Sequence, residues 1–400
     1  MPNLSYWESQ TYIGRPGLII VGAGFVGVRT ALSMRARERE LGLKAIDILI
    51  IERHSFGLGA STRNAGFACF GSPTEILADL KQGDTEAVWE TIKRRYQGVN
   101  RLRKELTGTT YWKDQGGYEV FSDRETYEYV QDKLPALNRE LSERLDSNAQ
   151  WLPADKPSGL KSGFPVLHNK AEAKLQPAAL LHALQQRCRE QGIRFLFGCT
   201  VHSFSGGLGN MKLETDPFGQ IECDQLLLAT NAFSRQLGIS VDLKPQRNLV
   251  LLTGVIPGLE LPGTYHHHEG YVYFRTVESK EGARVLIGGA RHLDKAAETT
   301  DFLARNNGAD MEISDPSMEK IMSLRKSLKN YLSVFLQTRE EDLNIQQSWM
   351  GILAQGSKKT PVVKAVQSGL FIAVRLAGMG VALSAEVGAK AAELLLEEVH

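Results

Sequence analysis

The stretch Leu18-Ile-Ile-Val21-Gly22-Ala-Gly24-Phe25-Val26-Gly27-Val28 decides the fold. Four apolar residues of mostly β-branched type predict a buried strand, and Val28 to Arg37 continues in helical pattern. Ile46 to Ile51 is a second apolar run, closed by Glu52. Strand, glycine turn, helix and strand make a βαβ unit.

In such a turn each glycine has its own duty. The first makes the bend, the second lets backbone approach a pyrophosphate, and the third lets helix and strand close on each other. Amides at the helix start hold phosphate charge without Lys or Arg. A carboxylate at Glu52 suits the two ribose hydroxyls of an adenosine. The pattern therefore predicts a dinucleotide site at Gly22, Gly24, Phe25, Val26, Gly27, Glu52 and Arg53. A glycine-rich turn without ligand is the plain alternative, and the placement of strand, helix and acid argues against it.

Composition narrows the class. At 400 residues the chain is too long for one core, so two or three domains are expected. Lys plus Arg number 47 against 46 Asp plus Glu, which excludes a basic nucleic-acid tail and an acidic disordered chain. Cys69, Cys188, Cys199 and Cys223 form no C-x-x-C pair and are too few for a disulfide scaffold, which fits a reducing compartment. Met1 to Gly14 has no basic start followed by an apolar stretch, and no apolar run approaches ~20 residues. The expectation is a soluble cytoplasmic protein with no nucleic-acid partner and no integral membrane span.

Further out, Ser72 to Leu106 and Arg124 to Leu145 read as helical, with a strand at Tyr118 to Phe121. Trp151 to Pro165 is turn-rich and reads as a boundary. A helix is expected at Ala178 to Gln191, then strands at Arg194 to Phe197 and Gln225 to Ala229. From Leu249 to Gly289 short apolar runs alternate with turn residues, the pattern of antiparallel sheet. Ser317 to Leu336 is helical, and Leu370 to Val374 is a last strand before a helix to Val399.

The fingerprint alone does not separate NAD from FAD. Ser61, Thr62, Arg63, Asn64, Ala65 and Gly66 follow Glu52 closely, and their small residues suit backbone approach to a large flat ligand. Ala229, Thr230 and Asn231 end a strand in small polar residues. Gly378, Met379, Gly380, Val381 and Ala382 make a second glycine-marked helix start, for which a NAD dehydrogenase has no need.

On these residues the chain resembles the D-amino-acid-oxidase-like superfamily of FAD-dependent oxidoreductases. The resemblance covers nearly the whole chain, including Gln176-Pro177, Tyr271 to Arg275, Ile287-Gly-Gly289 and Trp349-Met-Gly351. The Ser5-Tyr6-Trp7 arm, the Ser-x-Arg-Asn-x-Gly loop and Ala229-Thr-Asn-Ala232 look closest to its γ-glutamylputrescine oxidase-like branch. It implies an α/β plus α+β fold. A Rossmann-like FAD-binding domain would take 1–75, 155–240 and 345–400. A discontinuous antiparallel-sheet substrate domain would take 76–154 and 241–344. It implies Ser61 to Gly66 along the flavin, Val201 offering backbone to adenine, and the Gly378 to Ala382 turn near flavin N1, where a helix start stabilises negative charge. No His or Cys is placed for attachment, so non-covalent FAD is expected.

The implied chemistry is oxidation of a C–N bond in a small-molecule amine or amino acid. Hydride goes to flavin N5, the imine is hydrolysed, and O2 or another electron acceptor takes the electrons. An NAD(P)-type dehydrogenase sharing only the fingerprint, and a non-catalytic FAD-binding protein, are the rivals. Alternation puts Tyr271, Tyr273 and Arg275 on one strand face, a set suited to a carboxylate. The bland reading of Arg275 is an edge-strand side chain reaching water. Arg375 is read either near the flavin edge or as a surface charge. His266-His-His268 is read as no metal site, because adjacent strand residues face opposite ways. Cys69 is read as a small buried residue. Two departures matter. No Arg follows Trp349-Met-Gly351 where D-amino-acid and glycine oxidases clamp a carboxylate, which leaves that duty to Arg275 or Arg375. No Lys stands in Val285 to Gly289 where sarcosine oxidases activate oxygen, which leaves the acceptor open.

Overall fold

The computed structural model describes residues 4–296, 298–300, 306–307, 310–311 and 318–398. The ends of two expected helices, Ser317 and Val399, lie outside the described residues. The chain divides into two compact units. One comprises Met1–Arg63, Pro177–Gln246 and Ile352–His400; the other comprises Asn64–Gln176 and Arg247–Gly351.

The first unit is built on a six-stranded sheet. Its order is Val362–Gln367, Leu370–Val374, Gln225–Leu228, Leu18–Val21, Ile48–Glu52 and Arg194–Phe197. Five strands run parallel and Val362–Gln367 is an antiparallel edge. Leu18, Ile19 and Ile20 are fully buried, as are Ile48 to Ile51. Each such side chain contributes about 1.5–3 kcal/mol by leaving water. Leu18–Val21 has Ile48–Glu52 on one side and Gln225–Leu228 on the other, so chain departs from it in both directions. That is a topological switch point, the place where open α/β sheets bind ligands.

Helices Phe25–Glu40, Pro177–Glu190 and Gly380–Glu397 belong to the same unit. The first and last pack closely: a Cβ at Gly388 would stand 2.7 Å from the Arg29 Cβ. A separate three-stranded antiparallel sheet runs through Thr200–Ser205, Met211–Asp216 and Gly219–Cys223.

The second unit centres on an eight-stranded sheet. Its order is Ile345–Gln355, Lys244–Thr253, Gly282–Gly289, Val272–Ser279, Thr264–His267, Gly117–Val120, Val166–Asn169 and Leu152–Ala154. Tyr265, Val272, Phe274, Val285 and Ile287 share a core with Leu324, Leu328, Leu332 and Phe335 of helix Met318–Phe335. Another core gathers Phe70, Trp89, Leu134, Leu141 and Trp151 among three further helices. A small sheet pairs Phe67–Ala68 and Trp112–Lys113 with Ala173–Leu175.

Several expectations need correction. The helix Ser72 to Leu106 is two helices, Pro73–Gln82 and Thr85–Leu106. Gly83 ends the first, and Asp84 caps the second by accepting from the Ala87 amide at 3.1 Å. The turn-rich stretch from Trp151 contains strand Leu152–Ala154, paired with Val166–Asn169, so chain on both sides of it stays in the second unit. The compact units change over at Gln176/Pro177 rather than near 155. Proline opens a helix there, where its missing N–H costs nothing. They also change over at Arg63/Asn64 rather than 75, because Phe67 and Ala68 pair with Lys174 and Ala173.

Candidate functional site

In the first unit the turn after Leu18–Val21 is made by backbone. Gly22 has φ +112°, and its amide donates to the Ile51 carbonyl at 2.7 Å. A Cβ there would lie 2.7 Å from the Ala229 carbonyl oxygen; at Gly27 it would lie 2.0 Å from the Gly22 oxygen. Only glycine fits either place. Gly24 is the N-cap of Phe25–Glu40, and a Cβ on it would meet Ser61 Oγ at 2.8 Å. Ser61 Oγ accepts from the Phe25 amide at 2.9 Å, which ties the predicted loop to the helix start. Thr62 donates to the carbonyl of Gly57 at 3.1 Å, and Arg63 ends the short helix Ala60–Arg63. Phe25 and Val26 are buried beneath the turn.

Glu52 closes its strand as expected. Its carboxylate accepts from the Ala23 amide and the His54 amide, each at 3.1 Å. Two carboxylate oxygens have room for about four hydrogen bonds, so capacity for ribose hydroxyls remains. The Arg53 guanidinium sits 4.0 Å from the centre of the Phe233 ring. Ala229 continues the sheet by donating to Val21, and Thr230 shares a hydroxyl hydrogen bond with Ser234. Asn231 takes φ +49°, and its buried Oδ1 has no hydrogen-bond partner. An orphaned acceptor costs about 1–3 kcal/mol. The Gly22–Gly24 cradle, the start of helix Phe25–Glu40, the Glu52 carboxylate and this orphaned acceptor together fit a dinucleotide such as FAD.

Val201 follows strand Arg194–Phe197 and lies within strand Thr200–Ser205, opposite Thr215, and the register slips between Val201 and Ser203. Near the C-terminus, Arg375, Ala377 and Gly378 all take positive φ, at 62°, 49° and 83°. This bend delivers Met379 as N-cap of helix Gly380–Glu397, with Val381 and Ala382 buried in its first turn. Non-glycine residues in this region are strained, and such strain gathers at functional sites. Arg375 is neither a surface charge nor a free one. It is buried, with Nη1 donating to Asp242 Oδ2 at 2.7 Å and Nε to the Thr360 carbonyl at 2.9 Å.

In the second unit Asn64, Ala65 and Gly66 form a tight turn. The Gly66 amide donates to Asn64 Oδ1 at 2.8 Å, and Gly66 has φ +72°. A Cβ on Gly66 would stand 2.0 Å from the Leu175 carbonyl oxygen and 3.1 Å from Arg275 Nη2. Arg275 is not an edge residue reaching water. It occupies an interior strand, is 7 % exposed, and donates from Nη2 to the Leu175 carbonyl at 2.9 Å. Its Nε is buried without a partner, and among the described residues no carboxylate pairs with it. Burial pulls its pKa down to about 10, opposed only by Glu278.

Tyr273 stands opposite Gly288 on the next strand. A Cβ on Gly288 would meet Tyr273 Oη at 2.6 Å, so the ring lies across the space this glycine leaves. The Asn248 amide Nδ2 donates to Tyr273 Oη at 2.6 Å, while Asn248 Oδ1 is buried without a partner. Burial pushes the phenol up to about 12. Phe67 meets both Tyr273 and His266 edge-on, with ring centres 5.5 and 5.3 Å apart. Tyr271 falls one residue before the strand. Its ring packs with His292 and lies under the Arg291 guanidinium. Sequence reasoning missed Asn248, because its role depends on a neighbouring strand that leaves no mark at short spacing.

The three adjacent histidines diverge. His266 Nε2 is 2.8 Å from Glu172 Oε2, His267 bonds the Val120 carbonyl and packs on Phe335, and His268 is exposed in the turn. No helix among the described residues is long and apolar enough to cross a membrane.

Comparison with known proteins agrees with this geometry. The profile of the DAO family, FAD dependent oxidoreductase, matches residues 18–394. A probable oxidoreductase OrdL from Haemophilus influenzae is 24% identical over 393 residues, covering 96% of this chain and 84% of that one. Glycine oxidase from Geobacillus kaustophilus superposes with a TM-score of 0.70 at 18% identity, covering 96% of this chain and 95% of that one. L-α-glycerophosphate oxidase from Mycoplasma pneumoniae, solved with FAD bound, gives 0.68 at 13% identity over 96% and 95%. At these identities the two structures speak for the fold.

Proposed function

The chain belongs to the DAO family of FAD dependent oxidoreductases, and from that premise we propose that it oxidises a carbon–nitrogen bond in a small amine or amino acid that carries an anionic group. Bound FAD supplies the hydride acceptor, held non-covalently. Everything else falls to the chain's own residues.

The observation that carries the reading is Arg275. A buried guanidinium with one carbonyl partner and an orphaned Nε is costly unless an anion completes it. A substrate carboxylate takes that place with a charge-assisted hydrogen bond. Tyr273, held protonated by burial, donates its phenolic proton, and Asn248 Oδ1 accepts an N–H of the substrate amine. These two fix the amine's orientation, and an amine that binds neutral requires no strong base. Alignment of this kind supplies much of the rate enhancement in a hydride transfer. Water then hydrolyses the imine. In the first unit, Gly22, Gly24 and the amide at Val26 hold the pyrophosphate, and Glu52 holds the ribose. Gly378 to Ala382 serve the flavin ring.

The test is anaerobic mixing of purified enzyme with amino acids, N-methyl amines, polyamines and hydroxy acids, followed by the flavin absorbance. Bleaching by a carboxylate-bearing amine supports the reading. Bleaching by hydroxy acids alone, or by nothing in the panel, overturns it. Acid precipitation should leave the yellow colour in the supernatant; a yellow pellet contradicts non-covalent binding.

A further inference from the structure

Cys69, Glu172 and His266 come from three separate stretches of the second unit. Cys69 follows strand Phe67–Ala68, Glu172 precedes strand Ala173–Leu175, and His266 lies within Thr264–His267. Yet one Sγ, one carboxylate oxygen and one imidazole nitrogen all lie within 4.8 Å of one another, and all three residues are buried. The sequence makes room for this meeting. A Cβ at Gly117 would stand 2.0 Å from Glu172 Oε2, so only glycine there admits the carboxylate. Around the group stand Phe67 and Trp151, both edge-on to the His266 ring.

We propose that Cys69, Glu172 and His266 form a transition-metal site, with Zn2+ as the ion it fits best. It is separate from every residue assigned above to flavin or substrate. A thiolate, an imidazole and a carboxylate are the donor types Zn2+ takes, and three protein ligands leave a fourth position for water. With bonds of about 2.0–2.3 Å, tetrahedral ligand atoms stand roughly 3.2–3.8 Å apart. The His266–Glu172 separation of 2.8 Å must therefore open slightly. On binding, the Cys69 S–H bond breaks, its proton leaves to solvent, and a sulfur–metal bond forms. His266 binds through the Nε2 lone pair with its remaining proton on Nδ1, and the proton held between Nε2 and Glu172 leaves to solvent as the carboxylate turns to the metal. No electron moves. Adjacent histidines on a strand cannot converge, but one of them meets ligands from beside the ends of two other strands.

The experiment uses the flavin-loaded enzyme, stripped on a chelating resin and titrated with Zn2+ and, separately, Co2+. Bound metal is counted by elemental mass spectrometry, and Co2+ is read as a difference spectrum at wavelengths beyond the flavin's absorption. One ion per chain and intense tetrahedral Co2+ bands are expected. Cys69→Ser should abolish those bands. His266→Gln should weaken binding by at least the roughly 10–100-fold that loss of an outer-shell partner costs. Cys188→Ser should change neither, and flavin content should stay constant throughout. Absence of stoichiometric binding overturns the site, as does binding that survives Cys69→Ser. If Cys69→Ser does not fold, the wild-type spectrum decides: weak octahedral bands overturn the site, and tetrahedral bands with a thiolate charge-transfer shoulder support it.

Discussion

In the proposed function the two units recognise their ligands by different means. The first works through backbone: glycines at 22, 24 and 27, helix-start amides, and one carboxylate at the end of a strand. The second works through side chains that meet across strands: Arg275 with the Leu175 carbonyl, Tyr273 with Asn248, His266 with Glu172. Backbone recognition ties spacing to chemistry within a few residues, so substitution there is expected to cost most. Side-chain recognition tunes substrate choice and should lose less.

Gly22→Val breaks the comparison hardest. The position needs φ +112° and has a carbonyl 2.7 Å from any Cβ. Left-handed strain of on the order of 1–3 kcal/mol together with the backbone clash predicts more than about 150-fold weaker FAD retention. The ratio of flavin to protein absorbance after gel filtration checks this; unchanged retention would show the turn is not the cofactor cradle.

Arg275→Met comes next, and its two effects have opposite signs. Removing an under-partnered buried cation should leave thermal stability unchanged or raised. Losing a charge-assisted hydrogen bond of about 1.5–3 kcal/mol should lower kcat/KM by roughly 10–150-fold. A variant that loses stability in step with activity would mark Arg275 as structural.

Gly288→Ala sharpens the picture without touching a polar group. The new Cβ occupies the place of the Tyr273 ring, so Oη must leave Asn248. Its kcat/KM should fall by about tenfold, matching Tyr273→Phe, because each removes one hydrogen bond of about 1 kcal/mol and its alignment. Disagreement between the two variants would separate Tyr273 from substrate orientation.

The smallest effect concerns acid stability. His292 is pulled down to about 4 by burial, with His268 and Arg291 adding to it. Its folded pKa lies below its unfolded value, so the stability it supports is present at neutral pH and lost as pH falls from about 6.5 to 4. The group is partly exposed, so screening reduces this to on the order of 1 kcal/mol. His292→Gln should flatten that part of the melting-temperature profile; an unchanged profile would contradict it.

Legibility in the sequence followed the same division. The βαβ unit, Glu52 and the C-terminal helix start could be read because strand, turn and helix are neighbours in the chain. Arg275 and Tyr273 were legible as a strand face, but Arg275's burial was not, since it depends on Leu175 and Gly66 from remote segments. Arg375 looked available from sequence and is occupied by Asp242. Asn248, Gly117 and the meeting of Cys69 with Glu172 and His266 left no local trace, because each depends on register between strands far apart in the chain. The helix break at Gly83-Asp84 was visible as residue types and was masked by the apolar rhythm on either side.

The most direct test of the central claim pairs two substrates with two proteins. The amine that best bleaches the flavin anaerobically is compared with its decarboxylated analogue, in the wild type and in Arg275→Met. The account predicts that the wild type prefers the carboxylate form by roughly 10–150-fold and that the variant loses this preference. A preference that survives in Arg275→Met would contradict it.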